Sequence, residues 1–231
     1  MERNDIASMA RDYLGAMPHG TMDYEGGQII VLPTILPPHM NTATFAHVSR
    51  AFIADMIDAS PDPLRVFEMG VGTGGVILRL AQQLPIAACG ADILPMAVLN
   101  AKANALWWDV DCEIYQSDVF DQVPAGQFDV ILWNVPWLPD AIDGIDGPEF
   151  MGGFDPGYHA LNRFLAQAMT ERLAPGGAVL LAVDRLFCDR GLLKQRIEAA
   201  GFEHRVHHET THLWGEIELQ LDFIALRRPS R

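Results

Sequence analysis

Three features of the sequence predict an α/β fold built on one mostly parallel sheet of seven strands with an antiparallel last strand. Short apolar runs alternate with helical patterns from Val66 to Val183. A glycine-rich turn, VFEMGVGTGG at 66–75, joins the first of those strands to a helix. Near the C-terminus the alternation stops, and two β-like runs, 203–210 and 216–226, follow each other across Leu213-Trp214-Gly215, a connection short enough for a hairpin.

Asn4 to Met17 places Ile6, Met9, Tyr13 or Leu14, and Met17 on one helical face, which either covers the site or packs on the core. Gly27 to Leu36 reads as β-rich and is halted by Pro37 and Pro38. Thr42 or Thr44 caps a helix whose apolar positions Phe45, Val48, Phe52, Ile53 and Met56 repeat at three and four residues. Residues 1–41 therefore read as a helix and β-rich segment on the cap or substrate side, ahead of a main domain at 42–231. Within that domain the expected order is a buried strand ending at Val66 and Phe67, helix 76–84, strand 86–91, helix 95–106, strands 112–117 and 128–133, helix 158–173, strand 177–183 and helix 191–200. Helices on both faces of such a sheet make it Rossmann-like. Trp107 and Trp108 are expected to pack under the end of their helix.

Composition narrows the function. The 231 residues, 49% apolar, suffice for a full core, and sixteen basic against thirty acidic residues give a formal charge of −14 that repels phosphate backbones. No nucleic-acid or membrane partner is expected. Cys89, Cys112 and Cys188 lack paired spacing, no apolar run approaches the ~20 residues of a membrane span, and the N-terminus lacks a signal profile, so a reducing cytoplasm is the simplest home. His204, His207, His208 and His212 alternate along a predicted hairpin, which suits a solvated strand face better than a metal site.

Gly70-x-Gly72-x-x-Gly75 satisfies a dinucleotide fingerprint, and Asp92 stands where an acid would hold a ribose. Glu68 decides between cofactors. At the strand end it would face the phosphates of a dinucleotide, whereas a zwitterionic methionine tail offers it an ammonium, so Glu68-x-Gly70-x-Gly72-x-Gly74 favours S-adenosyl-L-methionine. Ligands of open parallel sheets bind beyond the carboxyl ends of the strands. Those ends carry Glu68 for the ammonium, Asp92 for ribose hydroxyls, Asp118 for the adenine amino group and Asn134 for the substrate; singly, each acid could equally cap a helix.

Four stretches, EMGVGTGG at 68–75, GADILPMAVLNAKANA at 90–105, QSDVF at 116–120 and FDVILWNVPW at 128–137, together with the later GGFDPG at 152–157, resemble class I methyltransferases, and among them the release-factor glutamine methyltransferases. On these stretches the resemblance implies a cofactor site of Glu68, Gly70, Gly72, Thr73, Gly74, Asp92, Ile93, Ser117, Asp118, Val119 and Asn134. It implies an acceptor site at Asn134, Val135, Pro136 and Trp137, with no metal. The family has Asn-Pro-Pro-aromatic there, and its Asn side chain and first proline carbonyl accept the two hydrogens of a planar nitrogen. Val135 keeps that carbonyl but adds an N–H, which is expected to loosen the turn, so restoring proline should be tolerated.

Upstream, PTILPPHMNT at 33–42 resembles the family's Pro-rich segment in outline, with His39 for Arg and Asn41 for Glu. His39, Asn41, Thr42, Trp137 and His159 are the candidate substrate contacts, and either His39 or His159 could accept a proton. Loop 140–157, rich in Gly and Asp, reads as a substrate lid. The likeness begins near residue 27, so the helical domain with which bacterial members grip the release factor is not expected; short members of this layout can depend on a small partner protein, and a homodimer is also open. The reading is a methyltransferase acting on a planar nitrogen of a small molecule or peptidyl substrate. Its alternatives are a protein glutamine methyltransferase and a non-catalytic cofactor-binding subunit.

Overall fold

The computed structural model of the protein describes residues 19–38, 40–57, 62–136, 153–185, 187–214 and 217–229. The expected helix at 4–17, His39, Trp137 and most of the 140–157 loop lie outside the described residues.

In chain order the elements are β1 (Gly20–Tyr24), β2 (Gly27–Val31), α1 (Met40–Ile57), β3 (Leu64–Met69), α2 (Gly75–Gln83), β4 (Ile86–Asp92), α3 (Pro95–Trp107), β5 (Cys112–Gln116), β6 (Phe128–Asn134), α4 (His159–Gln167), β7 (Leu173–Asp184), α5 (Arg190–Ala199), β8 (Glu203–Trp214) and β9 (Ile217–Arg227). Seven strands form one sheet in the order β5-β4-β3-β6-β7-β9-β8. β3 through β7 pair in parallel, while β9 runs antiparallel to both β7 and β8. The chain winds outward from β3 to β5 and then returns to lay β6 on the other side of β3. This reversal opens a crevice beyond the carboxyl ends of β3 and β6.

Both faces of the sheet are covered, which explains the unbroken apolar runs of its central strands. Val66, Val130 and Leu132 point to one core with Phe45, Ile53, Ile77 and Leu80, whereas Phe67, Ile131 and Trp133 point to the other with Phe164, Leu165, Leu193 and Ile197. Glu68 shares the parity of Val66, so its carboxyl enters the layer of α1 and α2.

A hairpin stands outside the main sheet. β1 and β2 pair antiparallel across Glu25 and Gly26, whose φ values of 51° and 78° suit a two-residue turn between right-twisted strands. β2 ends at Val31, earlier than the sequence implies, because the chain turns at Thr34 (φ 71°) and the Ile35 N–H bonds Leu32 O at 3.2 Å. One edge of β2 is read by α3. Asn100 Oδ1 accepts from Leu32 N at 2.7 Å, Asn104 Oδ1 accepts from Ile30 N at 2.8 Å, and Trp108 Nε1 donates to Gln28 O at 2.7 Å. These three residues recur every four positions, so one face of α3 presents them in a row.

Other expectations shift. The helix foreseen over 158–173 is α4, followed by a π turn at Ala168–Arg172. β7 starts at Leu173 and not at Gly177, because Leu173 still pairs with Phe128 across a bulge. Trp107 is more than half exposed and does not pack beneath its helix, whereas Trp108 stacks on Tyr24 with ring centroids 6.2 Å apart. Nor is the histidine-rich strand simply solvated: His207 meets the Phe52 ring edge-on at 5.0 Å and His212 lies 3.0 Å from Thr44 Oγ1. Among the described residues, no three His, Cys, Asp or Glu side chains cluster as metal ligands.

Candidate functional site

A cavity of about 290 Å³ lies beyond the carboxyl ends of β3 and β6. Its lining brings together Glu68, Gly70, Gly72, Thr73, Asp92, Ile93, Ser117, Asp118, Val119 and Asn134 from four separate segments.

The glycine turn is built for close approach. Gly70, Gly72 and Gly74 have φ of 68°, 52° and 82°, in the left-handed region where a side chain would be strained. A Cβ on Gly70 would lie 3.3 Å from Trp133 Nε1, and one on Gly74 would strike Leu78 at 2.8 Å. At Gly72 a Cβ would meet nothing within 4 Å, so the backbone there borders open space on the cavity side. Asp92 holds this turn in place: its Oδ2 accepts from Gly72 N and its Oδ1 from Leu94 N, both at 3.0 Å. Thr73 is buried, and its carbonyl accepts from Asn104 Nδ2 at 2.9 Å, which ties the turn to the β2 hairpin.

Glu68 is 4% exposed, and its Oε2 accepts from Ile77 N at 3.0 Å. Burial pushes its carboxyl up to about 8, the Ile77 N–H opposing this and the nearby Asp92 charge adding to it. Asp92 is raised as well, chiefly by burial. Among the described residues the printed donors to these two buried acids are backbone N–H groups.

Asp118 is held differently. Its side chain is 46% exposed and its Oδ2 pairs with Arg163 Nη1 of α4 at 2.7 Å. Ser117 is buried, its N–H bonded to Asp92 O at 2.9 Å and its Oγ accepting from Gln122 N at 3.0 Å. Val119 is buried at φ 54°, an outlying conformation for a β-branched residue.

Asn134 ends β6 and lines the cavity with Pro136 and Phe154. Val135 does not loosen the turn. Its N–H donates to Ala182 O at 3.2 Å and its side chain is buried, so the group that proline would lack has a partner on β7. Thr42 lines the cavity, and Asn41 is buried in the same turn of α1 but outside the lining. His159 is exposed and outside the lining; its neighbour Ala160 faces the cavity instead, the chain having turned at Tyr158 with φ 56°. Asp155 of the 152–157 stretch caps α4 through Ala160 N at 2.9 Å and Leu161 N at 2.8 Å.

Sequence reasoning missed Asn100, Asn104 and Arg163. The first two had a readable signal, asparagines spaced by four on an otherwise apolar helix face, which demands partners when buried. Arg163 had none, because it sits forty-odd residues beyond the carboxylates it meets.

The strand order and the acid-flanked glycine turn define a class I methyltransferase. The chain belongs to the methyltransferase small domain family, whose model matches residues 44–202. A Methanocaldococcus jannaschii chain with the provisional name protein N5-glutamine methyltransferase is 35% identical over 60% of this chain and 70% of its own length. The release factor glutamine methyltransferase of Geobacter sulfurreducens is 27% identical over 70% of this chain and 57% of its own. The chain thus spans little more than half of that bacterial relative. Among solved structures, a ribosomal protein L11 methylase from Lactobacillus delbrueckii subsp. bulgaricus has a TM-score of 0.59 at 18% identity, covering 90% of this chain and 92% of that one. A Thermus thermophilus 16S rRNA N2 G1207 methyltransferase in complex with AdoMet and guanosine has a TM-score of 0.58 at 15% identity, covering 90% and 50%. Both share the fold. S-adenosyl-L-methionine is the family's cofactor, and the site fits it: open backbone at Gly72 and two buried carboxyls that a methionine ammonium and ribose hydroxyls would satisfy. No helix among the described residues is long and apolar enough to cross a membrane.

Proposed function

We propose that the chain methylates the side-chain amide nitrogen of a glutamine in a protein substrate. Of the two acceptors considered from sequence, a small molecule and a peptidyl group, the names of the relatives favour the second. Asn134 is the observation that carries the reading, because it stands at the cavity wall shared with Gly70 and Asp92. Bound S-adenosyl-L-methionine supplies an electrophilic methyl group at that wall.

The Asn134 side-chain carbonyl and the Val135 backbone carbonyl each accept one hydrogen of the amide nitrogen. Two acceptors keep its lone pair directed at the methyl and stabilise the positive charge that grows on nitrogen before one hydrogen leaves as a proton. A hydroxyl acceptor would leave one carbonyl unpaired. Glu68 holds the cofactor's ammonium, Asp92 its ribose, and Asp118 its adenine amino group; Thr73, Ile93, Ser117 and Val119 shape the walls between them. Thr42, at the mouth, meets the substrate.

Release factors incubated with the protein and isotopically labelled cofactor test the proposal by peptide mass spectrometry. A labelled methyl on a glutamine side chain is the expected result. Label on an oxygen or carbon, or turnover of small amides with none on protein, would refute it. Stoichiometric cofactor binding without turnover of any acceptor would instead favour a non-catalytic subunit.

A further inference from the structure

Arg163 and Gln167 project from successive turns of α4 onto the segment 117–122. Arg163 Nη1 meets Asp118 Oδ2 at 2.7 Å, and its Nη2 meets Asp121 Oδ2 at 2.6 Å. Gln167 Nε2 donates to Asp121 Oδ1 at 2.9 Å, and its Oε1 accepts from Phe120 N at 3.4 Å. The four contacts straddle Val119, the β-branched residue at φ 54°. Such a conformation is strained and persists only where its surroundings over-determine it. Local bonds help on one side: Asp118 N donates to Gln122 Oε1 at 2.9 Å and Asp121 N to Asp118 O at 3.2 Å. On the other side, among the described residues, Arg163 of α4 meets the carboxylates of the turn and Arg172 of the π turn meets its backbone, Nη2 donating to Phe120 O at 3.1 Å.

We propose that Arg163 is a positioning residue for cofactor recognition: it clamps the strained 118–121 turn and fixes the Asp118 carboxylate by Oδ2, which turns Oδ1 toward the adenine amino group. Both the charge and the fork of a guanidinium are needed. Two carboxylates three residues apart repel unless a cation lies between them, and a planar fork holds both at once. Asp155 accepts from Ala160 N in the first turn of α4, and the acceptor side of the cavity is bordered by Ala160 of that helix and by Phe154 just ahead of Asp155. Arg163 thus links the adenine end to the wall on which the acceptor rests. The inference depends on the cofactor's identity and on Asp118, not on the glutamine acceptor.

The test is calorimetric and needs no acceptor. S-adenosylhomocysteine is compared with its analogue carrying hydrogen in place of the adenine 6-amino group. Wild type should prefer the amino compound by about tenfold, the worth of one hydrogen bond to a charged group. Arg163→Met should bring that preference to within about twofold, as should Asp118→Ala, and the double substitution should lose no more. Arg163→Lys should restore part of the preference, since it returns the charge without the fork. Val119→Gly, which relieves the strain, should reduce the penalty of Arg163→Met. Equal loss of both ligands in Arg163→Met would mark a merely structural arginine and overturn the inference, as would full retention of the preference. A wild type that does not distinguish the two ligands overturns it too.

Discussion

The Glu68–Asp92 end of the cavity and its Asp118 end are both built from carboxylates, yet they are fixed in opposite ways. Glu68 and Asp92 are buried, and the described donors to them are backbone N–H groups of the glycine turn and of the segments that open α2 and α3. Asp118 is half exposed and held by a side chain, Arg163, from an element remote in sequence. Burial with backbone donors makes a position that the fold itself dictates, at the expense of raising the carboxyl pKa. An exposed ion pair contributes little stability, so the Asp118 end, which we propose holds the adenine, is positioned by a side chain and not by the core.

The largest expected effect lies beneath the buried end. Asn104 accepts from Ile30 N and donates to Ile30 O and Thr73 O, so Asn104→Ala takes the bonds from Ile30 N and Thr73 O, while Asn100 Nδ2 still serves Ile30 O. The substitution should cost about 3 kcal/mol in chemical denaturation and weaken S-adenosylhomocysteine as well. A loss under about 1 kcal/mol would mean that the hairpin is not anchored through α3. Asn134→Ala should lower turnover by roughly 10²-fold while cofactor affinity stays nearly constant, because on the proposed assignment it removes an acceptor for the substrate nitrogen. Full turnover in this variant would reduce Asn134 to a strand end.

Glu68 sets a pH dependence opposite to that of an ordinary carboxylate. The folded protein keeps its proton up to about 8, while the unfolded chain releases it near the usual value of 4.5. Between those two values the native state binds more protons, so stability falls as pH rises through the window. Glu68→Gln should flatten that slope between about pH 5 and 8 in thermal melts, and an unchanged slope would assign it to other groups. Cofactor binding with an ammonium at Glu68 should release a proton in the same window, visible as a buffer-dependent binding enthalpy. The smallest effect is expected at Val135→Pro. Loss of the N–H to Ala182 O should cost about 1 kcal/mol, so the family's proline is a mild destabiliser here; a neutral or stabilising result would show that the turn has rearranged.

Much of the central sheet was readable because its signals are local. Period-two and helical patterns, the glycine turn and the acids at strand ends each lie within a few residues, so Glu68, Asp92, Asp118 and Asn134 converge as the parallel topology requires. What escaped is non-local or balanced. The hairpin at 20–31 is stabilised by asparagines about seventy residues away, and β7 extends through Pro175-Gly176-Gly177 only because Phe128 supplies a partner. From sequence His159 is a candidate because its segment is expected to border the pocket; the chain turns at Tyr158 in a left-handed conformation and His159 is exposed. The Val135 departure could be weighed only once Ala182 was known to lie opposite its N–H.

The contrast between the two ends is tested most directly by calorimetry of S-adenosylhomocysteine with Asp92→Ala and Asp118→Ala side by side. On the proposed assignment Asp92→Ala loses ribose acceptors and also releases Gly72 and Leu94 from their bonds, so affinity should fall about tenfold further than in Asp118→Ala, which loses the proposed adenine contact and the exposed pair with Arg163. NAD should bind wild type more weakly than S-adenosylhomocysteine. Equal losses in the two variants, a larger loss at Asp118, or tighter binding of NAD would contradict the account.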